Sequence, residues 1–202
     1  MSNFFKHFLL ITKHRHQVIR NAFHMGIFFQ SFKHDLSKYQ PSEFIPSYKN
    51  YQGDKSPVLK SRENNHGYSN IAIHHTNKNR HHYEYWVDFY KGYLLLKPMP
   101  YKYAVEYVCD VLAASKTYDK EHFSGKKAYD YFSTRTKFYF MHPATIEFVK
   151  ICFLRYDESK FKNLKKKDTI NLYDDICKKY QPVYMVKTEK TMLNPDEVFY
   201  GQ

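Results

Sequence analysis

Glycine is scarce, with six in 202 residues. No GxGxxG run and no Walker-type loop occurs, which removes the glycine-loop nucleotide folds. So few turn-forming residues also argue against a β-sandwich. Cysteine is scarcer: Cys109, Cys152 and Cys177 lie far apart without CxxC spacing. One thiol would be left over from any disulfide, so a reduced, cytoplasmic chain is the expectation. Long apolar runs are missing as well. The N-terminal stretch "FFKHFLLI" is short and broken by Lys6 and His7. It is too short to span a bilayer, and "TKHRHQVIR" follows it in place of a small-residue cleavage site. No membrane partner is expected.

Acidic residues are outnumbered by 20 to 32, giving a formal net charge of +12. A basic chain attracts phosphates and nucleic acid. The lysines are scattered, however, apart from "FKNLKKKD" at 161–168, so no single basic groove is implied. What the chain does have is bulk: 43% of it is hydrophobic and 19% aromatic, enough for a sizeable core. Helical spacing of apolar side chains dominates. Phe4, Phe8, Ile11, Val18 and Ala22 share one helix face, with Gly26 as its stop. A second helix is expected over 27–36, and a third at Pro41, with Glu43 in its first turn. The segment 69–93 reads as one long helix, or two abutting ones, ending near Gly92. Further helices are expected at 101–119, 125–134 and 143–156. The fold class is all-α: a helical bundle over 1–156 with a Lys-rich C-terminal extension over 157–202. That extension could add a helix and an extended arm.

Histidine is abundant, at twelve, and clustered. His74 and His81 are seven residues apart, as are His75 and His82, so each pair shares a face if the segment is helical. Adjacent doublets point to two faces, and only one member of each should look into a given site. Neutral imidazoles with an Asp suit a divalent transition metal such as Mn, Fe, Co, Ni or Zn. The pair His34–Asp35 in "HDLSK" supplies such a partner. In "VEYVCDVLAAS", Asp110 lies in an otherwise apolar helix, where a carboxylate is costly unless paired or metal-bound. The small Ala113 and Ala114 beside it leave room for a ligand.

The order of these residues resembles that of HD-type metal phosphohydrolases. In those enzymes a first-helix His, an adjacent His-Asp pair and a distant Asp surround one ion, and further histidines hold a second. That resemblance implies His14, His34, Asp35 and Asp110 at one ion. His14 is preferred to His16 because it stands four residues before Val18. His75 and His82, or their neighbours His74 and His81, would serve a second ion. "HDLSK" also resembles the "HDIGK" of cyclic-dinucleotide phosphodiesterases, although their "GYP" signature is missing. The longer run "HDLSKYQPSEF…YQGDKSP…GYS…HH…NRHHYEYW…CDVLAASKTY…MHP" is similar to a family of small uncharacterised bacterial and phage proteins. Some of these carry the label catalase, but no haem-pocket arrangement is readable in this chain.

The resemblance to HD-type enzymes implies hydrolysis of a nucleotide or other small phosphoester at one or two metal ions. Asp35 would bridge the ions or take a proton from water, with Lys38 and Arg80 on the substrate phosphate and Glu43 orienting a ligand His. Tyr85 and Trp86 are expected in the core. Two alternatives remain open on sequence: a di-iron oxygenase with the same ligand types, and a non-catalytic binding protein that engages nucleic acid through its basic surface.

Overall fold

The computed structural model describes residues 2–53, 55–119 and 122–188. The chain forms an all-α bundle with one small sheet. Helix α1 (Asn3–Met25) is stopped by Gly26, whose φ of 77° is the left-handed conformation a helix end commonly needs. A side chain could not be added there, because a Cβ would lie 2.7 Å from Lys166 Cβ. Then come α2 (Phe28–Ser31), α3 (Pro41–Lys49), α4 (Pro57–Glu63) and α5 (Asn70–Lys78). The strands β1 (Val87–Tyr90) and β2 (Tyr93–Leu96) precede α6 (Tyr101–Asp119). The rest is α7 (Gly125–Arg135), α8 (Pro143–Ser159), α9 (Lys166–Lys179) and β3 (Tyr184–Lys187).

Helix α6 is the centre of the bundle. Residues 104–109 are all buried, as expected of a helix surrounded on every side. Val105, Val108 and Leu112 meet Val18, Ala22 and Met25 of α1 and Phe148, Val149 and Phe153 of α8 in one core. Asn21 Nδ2 donates to the Cys109 carbonyl at 3.0 Å, pinning α1 to α6 inside the apolar contact. Of the described residues, none forms a helix long and apolar enough to cross a membrane.

Three sequence expectations need correction. The segment 27–36 is not one helix. Only Phe28–Ser31 is α-helical; turns follow, and Asp35 adopts φ 53° before a 3-10 turn at Leu36–Tyr39. The segment 69–93 is not a helix beyond Lys78. Asn79 is extended, a 3-10 turn covers Tyr83–Trp86, and a β-hairpin follows. Gly92 ends no helix: Lys91 (φ 48°) and Gly92 (φ 81°) are the two central residues of the hairpin turn between paired Tyr90 and Tyr93. Positive φ at both positions matches the twist of a two-residue hairpin. The expected boundary at 156/157 also falls within α8. Beyond it, α9 packs into the same core through Tyr173 and Ile176, and β3 pairs antiparallel with β2. Residues 189–202 of the expected arm lie outside the described residues.

His142 caps α8. Its Nδ1 accepts from the Ala144 N–H at 3.1 Å, and its Nε2–H donates to the Gln181 carbonyl at 2.9 Å. The bond accepted by Nδ1 requires a neutral ring, and burial lowers the pKa of His142 below the ordinary value despite the Gln181 bond. Its stabilisation should therefore be complete above the unfolded value of about 6.5 and be lost as pH falls through the folded value. Replacing it by Asn keeps a cap that does not titrate. Between pH 8 and pH 5 the parent should lose about 2–4 °C more in melting temperature than His142→Asn, for a cap of about 1 kcal/mol. Equal losses would show that the ring stays paired in acid.

Candidate metal centre

The site is assembled where α1, the His34–Asp35 turn, the 75–82 segment and α6 meet. The left-handed turn at Asp35, a conformation Asp tolerates better than most residues, lets two adjacent side chains enter the same space. His34 and Asp35 are each 1% exposed. Asp35 Oδ2 lies 3.2 Å from His34 Nε2 and 4.0 Å from His14 Nε2. Asp110 Oδ1 lies 2.9 Å from His14 Nε2 and 3.7 Å from His34 Nε2. The other oxygen, Asp35 Oδ1, faces a second group: His75 Nε2 at 3.3 Å and His81 Nε2 at 3.5 Å. Asp35 thus stands between two clusters, His14–His34–Asp35–Asp110 and Asp35–His75–His81–His82, each with ligand atoms within 4.8 Å of one another. Two ligands about 2.1 Å from one ion lie roughly 3–4 Å apart, so both clusters have the dimensions to hold a metal ion.

The hydrogen bonding supports that fit. His34 Nε2, His81 Nε2, His82 Nε2 and Asp35 Oδ1 are buried without a hydrogen bond, an arrangement that native interiors avoid, whereas Asp35 Oδ2 is paired with the Lys38 ammonium. The opposite ring nitrogens are anchored. Glu106 Oε1 accepts from His34 Nδ1 at 3.0 Å and lies 3.4 Å from His81 Nδ1. Glu43 Oε1 lies 2.7 Å from His75 Nδ1. Carboxylates behind imidazoles fix the tautomer that leaves Nε2 free for a metal. A third triad, His34–His81–Glu106, also has ligand-like spacing, but its carboxylate holds the Nδ1 atoms and so serves as their support.

The charges are tightly coupled. Burial disfavours an ionised Asp35, but His34, Lys38 and His75 overcome it and hold the carboxyl well below its usual range. Asp110 is likewise held low against burial by its hydrogen bond with His14 and by the nearby His34. Glu106 is brought down to about 2, against burial, chiefly by His34 and His81. His34 itself is raised against burial by Asp35, Asp110 and Glu106. His82 moves the other way: burial, then the charges of His81 and His75, keep it neutral, the form that binds metal.

Lys38 Nζ lies 2.6 Å from Asp35 Oδ2 and lines a pocket of about 390 Å³ that opens onto both clusters. His14, His75, His82 and Asp110 reach this pocket, and Leu10, Ile11, Val58, Ile71 and Ala114 form its apolar wall. Ala114 thus leaves the space expected of a small neighbour.

Other expected site residues are placed differently. Arg80 does not line this pocket: the extended chain after Asn79 directs it outward, 3.5 Å from Tyr103 Oη and over the Tyr85 ring. His74 bonds Glu43 and Ser42, outside both clusters, and His16 is exposed. One member per doublet holds for 74/75 but not for 81/82, because residues 80–82 form a turn and both rings can face inward. Trp86 packs against the core, whereas Tyr85 is 39% exposed. Glu43 is no surface helix charge; it is buried between His74 and His75.

Two pocket or support residues escaped the sequence reading. Glu106 stands four residues before Asp110 on α6, a spacing that puts both on one face. His7 stands seven before His14 on α1 and lines the pocket. Burial and Lys38 lower its pKa to about 4.

A family of unknown function, DUF5662, matches residues 3–154, which include every residue of both clusters. The chain belongs to DUF5662. No curated protein and no solved structure is significantly similar to it. The DUF5662 match ends within α8, so α9 and β3 lie beyond it.

Proposed function

We propose that the chain is a metal-dependent phosphohydrolase of the HD type that acts on a small phosphoester. The observation that carries this reading is Asp35, whose two buried oxygens face separate histidine clusters beside a pocket that holds Lys38. His14, His34, Asp35 and Asp110 would hold one divalent ion, and Asp35, His75, His81 and His82 another. Bound metal would lower the pKa of a water ligand and stabilise charge on a phosphoryl oxygen. Lys38 would hold the substrate phosphate at the mouth of the centre, and Asp35, with one oxygen toward each cluster, would hold the two ions together. The apolar wall would exclude water and accept the ester's carbon portion.

The same wall favours a second reading. Among the described residues Lys38 is the only lysine or arginine lining the pocket, which suits a substrate of low charge. A di-iron oxygenase would use these same ligand types. Metal analysis of the purified protein, then p-nitrophenyl phosphate and a phosphoester panel with Mn, Co, Ni, Mg and Fe, separates the two. The hydrolase reading expects phosphate release; iron with oxygen consumption and no phosphate release would replace it with the oxygenase. Ala114→Phe should fill the pocket and cut turnover at least tenfold while leaving metal content unchanged. Full turnover in that variant would place the substrate elsewhere.

A further inference from the structure

Behind the histidines lies a second cleft, of about 620 Å³, which shares no lining residue with the first pocket. Its floor is His81 and Glu106. Its sides carry four cations from separate parts of the chain: Lys33 after α2, Lys78 at the end of α5, Arg80 in the next turn and Lys102 at the start of α6. Glu106, the carboxylate among its lining residues, is already engaged by His34, His81 and Gln30. The four cations have no carboxylate partner among the described residues. Arg80 and Lys102 rest on the tyrosine rings 85 and 103 instead. The other feature is aromatic. Phe29 lines the cleft and is 86% exposed, and the Tyr103 ring is braced against Trp86 at 5.6 Å.

Four uncompensated cations in one concavity call for a ligand with several negative charges. The volume lies within the range of small-molecule sites, roughly 300–1,000 Å³, which favours a compact polyanion over a strand of nucleic acid. The exposed phenyl ring and the braced phenol call for a flat aromatic group. We propose that this cleft binds a nucleoside triphosphate, its phosphates on Lys33, Lys78, Arg80 and Lys102 and its base against Phe29 and Tyr103. The cleft shares its floor, His81 and Glu106, with the metal centre, but the residues assigned to the ligand are others, none of which lines the first pocket, so either assignment can fail alone.

The test is calorimetric titration of the full chain with ATP, with tripolyphosphate and single-stranded DNA as comparison ligands. One ATP per chain is expected. Lys78→Ala/Lys102→Ala should weaken it at least tenfold, and Phe29→Ala should weaken ATP but not tripolyphosphate. Lys38→Ala, in the other pocket, should leave ATP binding unchanged. The proposal is overturned by no saturable ATP binding, by indifference to the double variant, by tripolyphosphate binding as tightly as ATP, or by loss of binding in Lys38→Ala. Tighter binding of single-stranded DNA than of ATP would overturn it in favour of a nucleic-acid surface.

Discussion

Asp35→Asn is expected to remove metal from both clusters at once and to abolish phosphoester turnover. The amide has nearly the shape of the carboxylate, but it offers one neutral oxygen where two charged ones faced two groups of imidazoles. An outer partner of a metal ligand is worth about 10–100-fold in affinity. A carboxylate shared between two ions should cost more than that, so metal content should fall to near zero after dialysis. The fold is under separate strain in this variant. Lys38 and a charged His34 lose their buried counter-charge, and breaking such a pair costs about 3–5 kcal/mol. Helical circular dichroism must therefore be measured alongside metal content. His82→Ala is the companion variant: Asp35 stays, and only the second cluster loses a ligand, so content should fall from two ions toward one. Undiminished metal in a folded Asp35→Asn protein would rule out the shared-carboxylate centre.

The parts of this centre that sequence exposes are those whose chemistry is unusual for their place. An aspartate in the apolar run of α6 and a His-Asp pair stand out because water or a partner must compensate them. The parts it hides depend on contacts across the chain. Glu106 reads like any helical glutamate until α2 and the 75–82 turn close over it and bring Gln30, His34 and His81 to its two oxygens. Helical spacing misplaces the His81–His82 doublet because the helix does not continue past Asn79, where the chain becomes extended. The hairpin had a local signal, Lys91–Gly92 between two runs rich in aromatic and aliphatic residues. That signal was masked by the apolar spacing upstream. The third strand could not be placed locally, since Tyr184–Lys187 joins β2 across some ninety residues of chain. Helix α6, by contrast, is legible over its whole range, because the apolar spacing of Val105, Val108 and Leu112 matches the surface that meets α1 and α8.

The second large effect is expected at Glu106, which is neither in the two metal clusters around Asp35 nor among the residues lining the first pocket. Its Oε1 receives the Nδ1 sides of His34 and His81, one ligand from each cluster, and its Oε2 receives Gln30 Nε2. One carboxylate therefore sets the ring orientation on both sides of Asp35. Glu106→Gln keeps an acceptor for the imidazoles but removes the charge that makes them basic. It also turns an NH2 toward Gln30, which must flip to avoid donor facing donor. Metal affinity should fall about 10–100-fold, measured by competition with a chromophoric chelator. Glu106→Ala should fall further, because both rings lose their anchor. The pattern with excess metal distinguishes a positioning residue from a ligand. Glu106→Gln should regain most of its turnover as metal is raised, since every ligand atom remains in place, whereas Asp35→Asn should not. Should Glu106→Ala bind metal as tightly as the parent, His34 and His81 would be oriented by packing alone, and the carboxylate behind them would be only a buried counter-charge.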